Sequence, residues 1–493
     1  MAKINISFNG TTFSINEQAY ISTVAELQQH FLSTMNGAGA AINFGGIAYS
    51  VDSTKLSNAT SDFINHLGTI AGSGATITIN GREFPVDSSK LGSTISKLHT
   101  RLDDLSNFPD SIEDLENEYE FIYFSTLEKA VSAINAGALD SYDATKETAG
   151  ASVYEDKTGK LYALLLKDEK TVSRLQPSVD MTINLGGHKL SSADILCINV
   201  KGGTFVLDGR LPGSGIAHTG TSSTIGCIQV PATSTSQSVT ILGGTYTVTN
   251  TNGGNAVGLN LKSLNCVTTV KDCAITAVTT NNKANGCVND GITVFTKCDM
   301  RAYCNYNLSD AGTYTALSYG VYNTGSLTMK DCYVYGTHSG IGSTNSVDID
   351  GGTYEGFGHG GLYASGAAKT YRIYNATLKD SPVMPTGYTN TAPNNGSGIY
   401  IGGSGAANTT MYVDNCAIYG PASQLVIRGS SGEQNNTVYI SNSKLYDTDG
   451  TTISVRIDND THKLYSGIGN NFTADNTTLP EAVVVTEDAY GKK

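Results

Sequence analysis

The sequence contains no tryptophan, only 10 prolines and few charged residues, which make up 15% of its 493 positions. Few stretches have the pattern of a long amphipathic helix. No apolar run approaches the roughly 20 residues that a membrane-spanning helix needs. The first eight residues, MAKINISF, also lack the apolar core and cleavage site of a signal peptide. We therefore expect a chain made in the cytoplasm, with no membrane partner, that leaves the cell by a route such as release within a virion.

Basic surface is also scarce, since the formal net charge is −13. Nucleic-acid binding depends on Lys and Arg that neutralise phosphates, so no nucleic-acid partner is expected. The excess of acidic residues mildly disfavours binding of acidic polymers and says little about binding of neutral polysaccharides. No sequence pattern indicates a cofactor.

The nine cysteines form no CxxC pair, and their number is odd. These two facts argue against a zinc site and against a disulfide framework, so no metal is expected. Four of them recur at one position of a repeat described below, which is typical of reduced thiols that fill small spaces in a core. Those four are Cys273, Cys298, Cys332 and Cys416.

What the sequence does contain is glycine, threonine, serine, asparagine and tyrosine, and a repeat between about residues 239 and 446. The repeat reads apolar, any, Asp/Asn/Gly, small, any, apolar. Its third position falls at Gly243, Asp272, Lys297, Asp331, Gly351, Asn375, Asn415 and Asn442. The spacing never drops below about 20 residues and varies above it, which indicates a mainly β coiled solenoid with insertions. Between copies lies a second apolar strand, usually beside a glycine such as Gly258 or Gly320.

Residues 1–105 carry a different repeat of three units, with its turn glycines at Gly10, Gly46 and Gly81. Alternating apolar residues on both sides of each turn predict a β-hairpin, and a helix-period segment follows it. These ββα units are interpreted as an attachment or spacing region, or equally as a folding cap. Residues 106–180 are predicted to be an acidic linker and α+β connector, residues 181–473 the solenoid, and residues 474–493 a C-terminal cap or tail.

The connector carries its own local signals. The sequence Ser125-Thr126-Leu127-Glu128 is that of a capping box at a helix start, and Gly137 is placed to end the helix. Residues 152–167 predict a hairpin about a turn at residues 157–160.

Residues 181–473 resemble the right-handed parallel β-helix superfamily that includes pectate lyases, polygalacturonases and bacteriophage tailspikes. The entry sequence INLGGHKL at residues 183–190 and the repeated Asp/Asn-Cys/Gly turn carry this resemblance. Residues 124–168 resemble the segment before the β-helix in phage tail fibres and spikes of gut bacteria. The resemblance implies a homotrimer in a virion, held to other tail proteins by the N-terminal repeats, that binds host surface polysaccharide.

Successive coils of a solenoid align outward side chains in columns about 4.8 Å apart. One predicted column contains Thr240, Thr269, Thr328, Asp348, Arg372, Tyr412 and Tyr439, and its neighbour contains Leu242, Lys271, Thr296, Lys330, Asp350, Tyr374, Asp414 and Ser441. The columns change from Thr and Lys to Asp, Arg and Tyr at Asp348. Glycoside hydrolysis uses two carboxyls, about 6.5–9.5 Å apart in inverting enzymes. Asp348, Asp350 and Asp414 are therefore candidate catalytic residues, or else part of an ordinary solvated face.

Glycan-binding candidates lie on and near these columns. They are Arg372, Tyr374, Tyr412 and Tyr439 on the columns, Tyr388 in a long polar insertion, and His359 near the same face. Arginine suits a sugar carboxylate and tyrosine suits a sugar ring. The acidic and basic motifs of polygalacturonases and lyases are absent. The alternatives left open are a non-catalytic tailspike, a polysaccharide depolymerase of the hydrolase or lyase type, and a bacterial surface protein.

Overall fold

A computed structural model of the chain describes residues 119–305 and 317–381, most of residues 384–472, six strands before residue 88 and the strand Ala482–Val484. The chain divides into two compact units, Met1–Glu118 and Tyr119–Lys493. The acidic run predicted as a linker falls mainly at residues 103–118, outside the described residues.

The first unit contains three antiparallel hairpins, which confirms the strand pairing predicted from the turn glycines. They pair Lys3–Phe8 with Thr11–Asn16, Gly39–Phe44 with Ile47–Asp52, and Gly74–Ile79 with Arg82–Asp87. The helical segments predicted after each hairpin lie outside the described residues.

The second unit is a right-handed parallel β-helix, as the sequence predicts, and each coil contributes one strand to each of three sheets. Sheet 1 contains Ile122–Phe124, Ala151–Glu155, Leu161–Leu165, Met181–Asn184, Thr204–Gly209, Ser238–Gly243, Val267–Lys271, Ile292–Thr296, Ser326–Lys330, Val347–Asp350, Thr370–Tyr374, Thr410–Asp414, Thr437–Ser441, Lys463–Ser466 and Ala482–Val484. Sheet 2 contains Glu169–Thr171, Lys189–Ser192, Gly215–Gly220, Thr245–Asn250, Ala274–Thr279, Asp299–Tyr303, Tyr333–Gly336, Thr353–Gly356, Thr377–Asp380, Ala417–Tyr419 and Lys444–Tyr446. Sheet 3 contains Leu196–Asn199, Thr224–Val230, Asn255–Leu261, Ala284–Asn289, Tyr319–Asn323, Ser339–Ser343, Leu362–Ala364, Ile399–Ile401, Leu425–Ile427 and Val455–Ile457.

The repeated turn joins sheet 1 to sheet 2, and its third residue is left-handed in every copy. The φ angles are +60° at Gly243, +56° at Asp272, +52° at Lys297, +51° at Asp331, +79° at Gly351, +55° at Asn375, +52° at Asn415 and +48° at Asn442. Gly, Asn and Asp adopt this conformation at least cost, which explains their recurrence there. The next residue is small because it turns into the core, where Cys273, Cys298, Cys332 and Cys416 are all at most 3% exposed.

Alternate residues of each strand fill the interior, as the alternation predicts. Val347, Ile349, Ile373, Val413 and Ile440 on sheet 1 are all at most 1% exposed. Burying a side chain of this size stabilises the fold by about 1.5–3 kcal/mol. One continuous apolar core therefore runs along the whole stack of coils.

A glycine column crosses the sheet 3 strands Asn255–Leu261 and Tyr319–Asn323, because sheet 2 side chains approach the backbone there. A Cβ atom on Gly258 would lie 2.4 Å from Ile275 Cγ2, and one on Gly320 would lie 2.3 Å from Val334 Cγ1. Real Cβ atoms do not make such contacts, so these positions require glycine. This explains the glycine that accompanies the second apolar strand in the sequence.

The predicted connector helix, Leu127–Ala136, packs against the first strands of sheets 1 and 2 and extends the core at that end. Its N-cap is Thr126, whose hydroxyl accepts a hydrogen bond from Lys129 N, and its C-cap is Gly137 with φ +61°. The capping-box prediction is thus corrected in detail, because the Glu128 carboxylate accepts from Val172 N instead of closing back on Ser125.

The predicted hairpin pairs Ala151–Glu155 with Leu161–Leu165, and the second strand continues in parallel beside Met181–Asn184. The sheets of the β-helix therefore begin within residues 106–180, since Glu169–Thr171 already pairs with Lys189–Ser192. At the other end Ala482–Val484 adds a strand to Lys463–Ser466, so the tail segment contributes to sheet 1.

Candidate functional site

The strand register of sheet 1 produces both predicted outward columns. Column 1 consists of Val206, Thr240, Thr269, Val294, Thr328, Asp348, Arg372, Tyr412, Tyr439 and Tyr465. Column 2 consists of Asp208, Leu242, Lys271, Thr296, Lys330, Asp350, Tyr374, Asp414 and Ser441. The change from Thr and Lys to Asp, Arg and Tyr therefore occupies one continuous surface.

Sequence reasoning missed Val206, Val294 and Tyr465 in column 1 and Asp208 in column 2. Tyr465 lies on the sheet 1 strand that follows the last complete coil of the described residues, directly beside Tyr439. The alternation of Leu464, buried, and Tyr465, partly exposed, could have identified it, because it repeats the pattern of the preceding strands.

The three candidate carboxylates contact neighbouring coils. Asp348 Oδ1 lies 3.2 Å from Arg372 Nη1, and both side chains are about half exposed. Asp350 accepts a hydrogen bond of 2.7 Å from the Asn375 side-chain amide. Asp414 accepts from the Ser441 hydroxyl at 2.6 Å and from the Asn442 amide at 2.8 Å.

Their spacing agrees with the sequence-based estimate, because the register places Tyr374 between Asp350 and Asp414. Two strand spacings separate these two residues by about 9.6 Å, and two positions along a strand separate Asp348 from Asp350 by about 6.5–7 Å. A general acid, however, is normally a carboxyl in an apolar pocket. Asp348 and Asp350 instead lie exposed on a flat sheet face, an arrangement that suits binding of hydroxyl groups better than proton transfer.

The tyrosines of column 1 stack on each other. The ring centroids of Tyr412 and Tyr439 are 5.2 Å apart, those of Tyr439 and Tyr465 are 4.8 Å apart, and both interplanar angles are 10°. Each inner ring face is therefore covered by the next ring. This tyrosine ladder, Tyr412, Tyr439 and Tyr465, therefore exposes ring edges to a ligand. Only Tyr412 and Tyr465, at its two ends, have one ring face that no other tyrosine of the ladder covers.

Tyr388 and His359 lie away from columns 1 and 2. Tyr388 stacks on Tyr303 of sheet 2, with ring centroids 5.5 Å apart. His359 lies in the turn between sheets 2 and 3, which corrects its expected place near the sheet 1 face. The short distance along the chain from Asp350 to His359 suggested a shared face. Residues nine positions apart can, however, occupy different sides of the same coil.

His359 is also not a lone histidine. Its ring stacks on His338 at a centroid distance of 4.6 Å and contacts Tyr363 and Tyr400 edge-on. Burial, together with the nearby positive charge of Arg428, lowers the pKa of His359 to about 4. Burial likewise holds the pKa of His338 well below its ordinary value. Both imidazoles are therefore neutral at pH 7.

Sheet 2 carries a polar cluster that sequence reasoning did not identify. The guanidinium of Arg301 lies 4.8 Å from the centre of the Tyr333 ring. The Tyr333 hydroxyl donates to Glu355 at 3.2 Å, and Lys379 Nζ lies 3.0 Å from the same Glu355 oxygen. Glu355 is well shielded, with 14% of its side chain exposed. The charged groups of this network are satisfied by one another. We therefore assign the network to the packing on the outer face of sheet 2.

Sheet 3 carries an aromatic cluster that was also missed. Tyr322, Tyr363 and Tyr400 share an outward column, in which Gly342 separates Tyr322 from Tyr363. Tyr319 joins the cluster by its contact with Tyr322 at 5.3 Å. Tyr322, Tyr363 and Tyr400 each lie two residues after the glycine of the second repeated strand, but only the register shows that these tyrosines are neighbours.

Across the described ranges, no group of three or more His, Cys, Asp or Glu side chains is arranged to hold a metal ion. Within the same part of the chain, no helix has the length and apolar character to span a membrane. Comparisons of the chain with protein-family models, with curated proteins and with solved structures found no match. The resemblance to parallel β-helix proteins is therefore supported by the fold alone.

Proposed function

We propose that this protein is a virion tailspike or tail fibre that binds host surface polysaccharide through the distal half of sheet 1. The supporting observation is the continuous surface formed by Asp348, Asp350, Arg372, Tyr374, Tyr412 and Tyr439, with Tyr465 at its end. The Asp carboxylates can accept hydrogen bonds from sugar hydroxyls, and the guanidinium can donate to sugar hydroxyls or carboxylates. Tyrosine edges and hydroxyls add apolar and polar contact. The rigid coils hold these groups at fixed spacing, which limits the entropy lost on binding.

We also propose that the protein assembles through its N-terminal units and as a trimer. The three N-terminal hairpin units attach the protein to other tail proteins or space it from them, since small tandem units need a partner surface to bury their apolar faces. Three copies form a homotrimer. Light scattering after gel filtration tests this directly, with an expected mass near three times the chain's 51.7 kDa. A mass near that of one chain contradicts the trimer.

Binding is tested with surface polysaccharides purified from gut bacteria and immobilised on a sensor chip. Arg372→Gln and Tyr412→Ala should each weaken binding about tenfold, because truncating a central contact costs about 1.4 kcal/mol or more. Thr240→Ala, in the same column but in an early coil, is the matched control and should bind as the wild type does. Equal binding by all four proteins, or no binding by the wild type to any polysaccharide, contradicts the proposal.

A second candidate function is polysaccharide depolymerisation by the same surface, favoured by the spacing of Asp350 and Asp414 across Tyr374. The wild type, Asp350→Asn and Asp414→Asn are incubated with a polysaccharide that the wild type binds, and released oligosaccharide is measured. Release by the wild type alone supports a hydrolase or lyase. Binding without release by all three proteins establishes a non-catalytic spike.

A further inference from the structure

The aromatic cluster on sheet 3 is drawn from four successive coils and forms one connected surface. His338 contacts Tyr319 and Tyr363 at centroid distances of 5.0 and 5.8 Å, and Tyr363 contacts Tyr400 at 5.6 Å. The rings of Tyr322, Tyr363 and Tyr400 are partly exposed, so the cluster reaches the protein surface. The packing differs from that of the column 1 ladder, because Tyr363 and Tyr400 are tilted by 37° instead of stacked in parallel.

Two glycines shape this surface, because each leaves room for a tyrosine ring. A Cβ atom on Gly342 would lie 2.3 Å from Tyr319 Cε1, and one on Gly402 would lie 2.4 Å from Tyr400 Cε1. Each ring therefore occupies the space that a side chain would fill at the glycine, and leans onto the backbone of the sheet. Tyr319 is buried beneath this surface, whereas Tyr400 is partly exposed and can contact a ligand. The face of an aromatic ring is what a pyranose packs against.

A cation completes the surface. Arg428 is exposed, and its Nη1 lies 3.4 Å from the Tyr400 hydroxyl. The positive charge is close enough to His359 to disfavour that ring's protonation. Arginine binds carboxylates in a bidentate manner, so the charge beside an aromatic surface selects a ring that carries a carboxylate.

We propose that sheet 3 contains a second saccharide site, formed by Tyr363, Tyr400 and Arg428, that takes an acidic pyranose of the uronic-acid type. The class of ligand rests on the proposed function, while the residues are separate from those of sheet 1. A polysaccharide that contains uronic acid would then contact the protein on two faces, and two linked contacts raise the overall affinity well beyond either one.

Calorimetric titration with galacturonic acid oligomers, and with neutral galactose oligomers as the comparison, tests the site. The wild type should bind the acidic oligomer more tightly. Arg428→Gln should remove this preference, and Tyr400→Ala should weaken binding of both oligomers about tenfold. Tyr400→Phe keeps the ring and should retain most of the affinity. Tyr446→Ala on sheet 2 is the matched aromatic control and should leave both affinities unchanged.

Arg372→Gln separates this site from the one on sheet 1. One outcome would overturn the sheet 3 site and leave the proposed function standing. In that outcome Arg372→Gln loses binding of the acidic oligomer, whereas Arg428→Gln and Tyr400→Ala keep it. Wild-type affinity for the acidic oligomer equal to that for the neutral one also overturns the sheet 3 site. Loss in Arg428→Gln and Tyr400→Ala with retention in Arg372→Gln supports it. Circular dichroism and the melting temperature establish that each variant is folded.

Discussion

At the scale of single residues, the repeated turn shows how local chemistry sets the fold. All eight third positions of the repeat are left-handed, including Lys297, which lacks the advantage of Gly, Asn or Asp. In the last copies, side-chain amides also bond from coil to coil, as when Asn415 donates to Asn375 at 2.8 Å. A turn residue thus contributes both a backbone conformation and a link to the coil beside it.

Asn415→Ala should separate these two contributions when compared with Asn415→Gly. Alanine loses the amide bond and also pays the left-handed penalty of about 1–2 kcal/mol, whereas glycine loses only the bond. We expect urea denaturation to give a larger loss of stability for the alanine variant, by about 1 kcal/mol. Equal losses would contradict the role assigned to the left-handed backbone.

The cysteines give a second test at this scale, because all nine are buried and free. Burial raises the pKa of Cys197 and Cys416 to about 12, so their thiolate fraction at pH 8 is very small. Ellman's reagent should therefore find almost no reactive thiol in the native protein at pH 8 and nine after unfolding in guanidinium. Rapid reaction of any thiol in the native protein would contradict the role of these residues as core fillers.

The paired histidines predict a loss of stability in acid. An unfolded histidine titrates near 6.5, whereas burial lowers the pKa of His359 to about 4 and that of His338 well below 6.5. The unfolded chain therefore binds more protons below about pH 6.5, and stability falls as the pH drops from there towards 4. The double variant His338→Gln/His359→Gln should show a weaker fall in urea denaturation. An unchanged pH dependence would contradict this origin.

At the scale of elements, the connector helix matters because it extends the core at the first coil. Leu127, Val131 and Ile134 are all at most 3% exposed and belong to the same core as the strands. An open end of a β-helix would expose apolar side chains and unpaired strand edges, which invites aggregation. The antiparallel strand pair before Met181 covers the edge of sheet 1 in the same way.

Val131→Asp should disrupt this helix, while Ser132→Asp at the next, exposed position provides the control. A carboxylate forced into the core costs several kcal/mol, whereas one on the surface costs little. We expect the Val131 variant to melt at a clearly lower temperature and to aggregate, as measured by light scattering during heating. Similar melting of both variants would show that the helix does not protect the core.

At the scale of the whole molecule, each coil contacts mainly the coils on either side of it. Stability is then close to a sum of coil and interface contributions, so the number of coils is not fixed by the fold. The variable connections between sheets 2 and 3, such as residues 304–318 and 381–398, are inserted without interrupting any of the three sheets.

Deletion of residues 245–273 should preserve the fold, because it removes one complete coil and joins Gly244 to Ala274, which takes the position of Thr245 in the register. Deletion of residues 245–259 removes about half a coil and should prevent folding, since the remaining strands could not return to their sheets. Circular dichroism should show a β-rich, cooperatively melting protein only for the first deletion. Two folded proteins, or two unfolded ones, would contradict this modular account.

The sequence by itself determined the β-helix, its left-handed turns, its small core fillers and the inward and outward faces of its strands. These features depend on local backbone preference and on alternation along a strand, both of which are readable in a few neighbouring residues. It also determined columns 1 and 2, because the repeat marks equivalent positions in successive coils.

Only the tertiary structure decided which side of the coil each other residue occupies. His359 lies in the turn between sheets 2 and 3. Tyr363 and Tyr400 belong to the second repeated strand, but that repeat did not reveal their contact with each other or that of Tyr363 with the ring of His338. The connections between sheets vary in length, so distance along the chain does not report position around the coil. The orientation of a ring likewise depends on the side chain beside it in the neighbouring coil. Tyr412 and Tyr439 stack on each other for this reason.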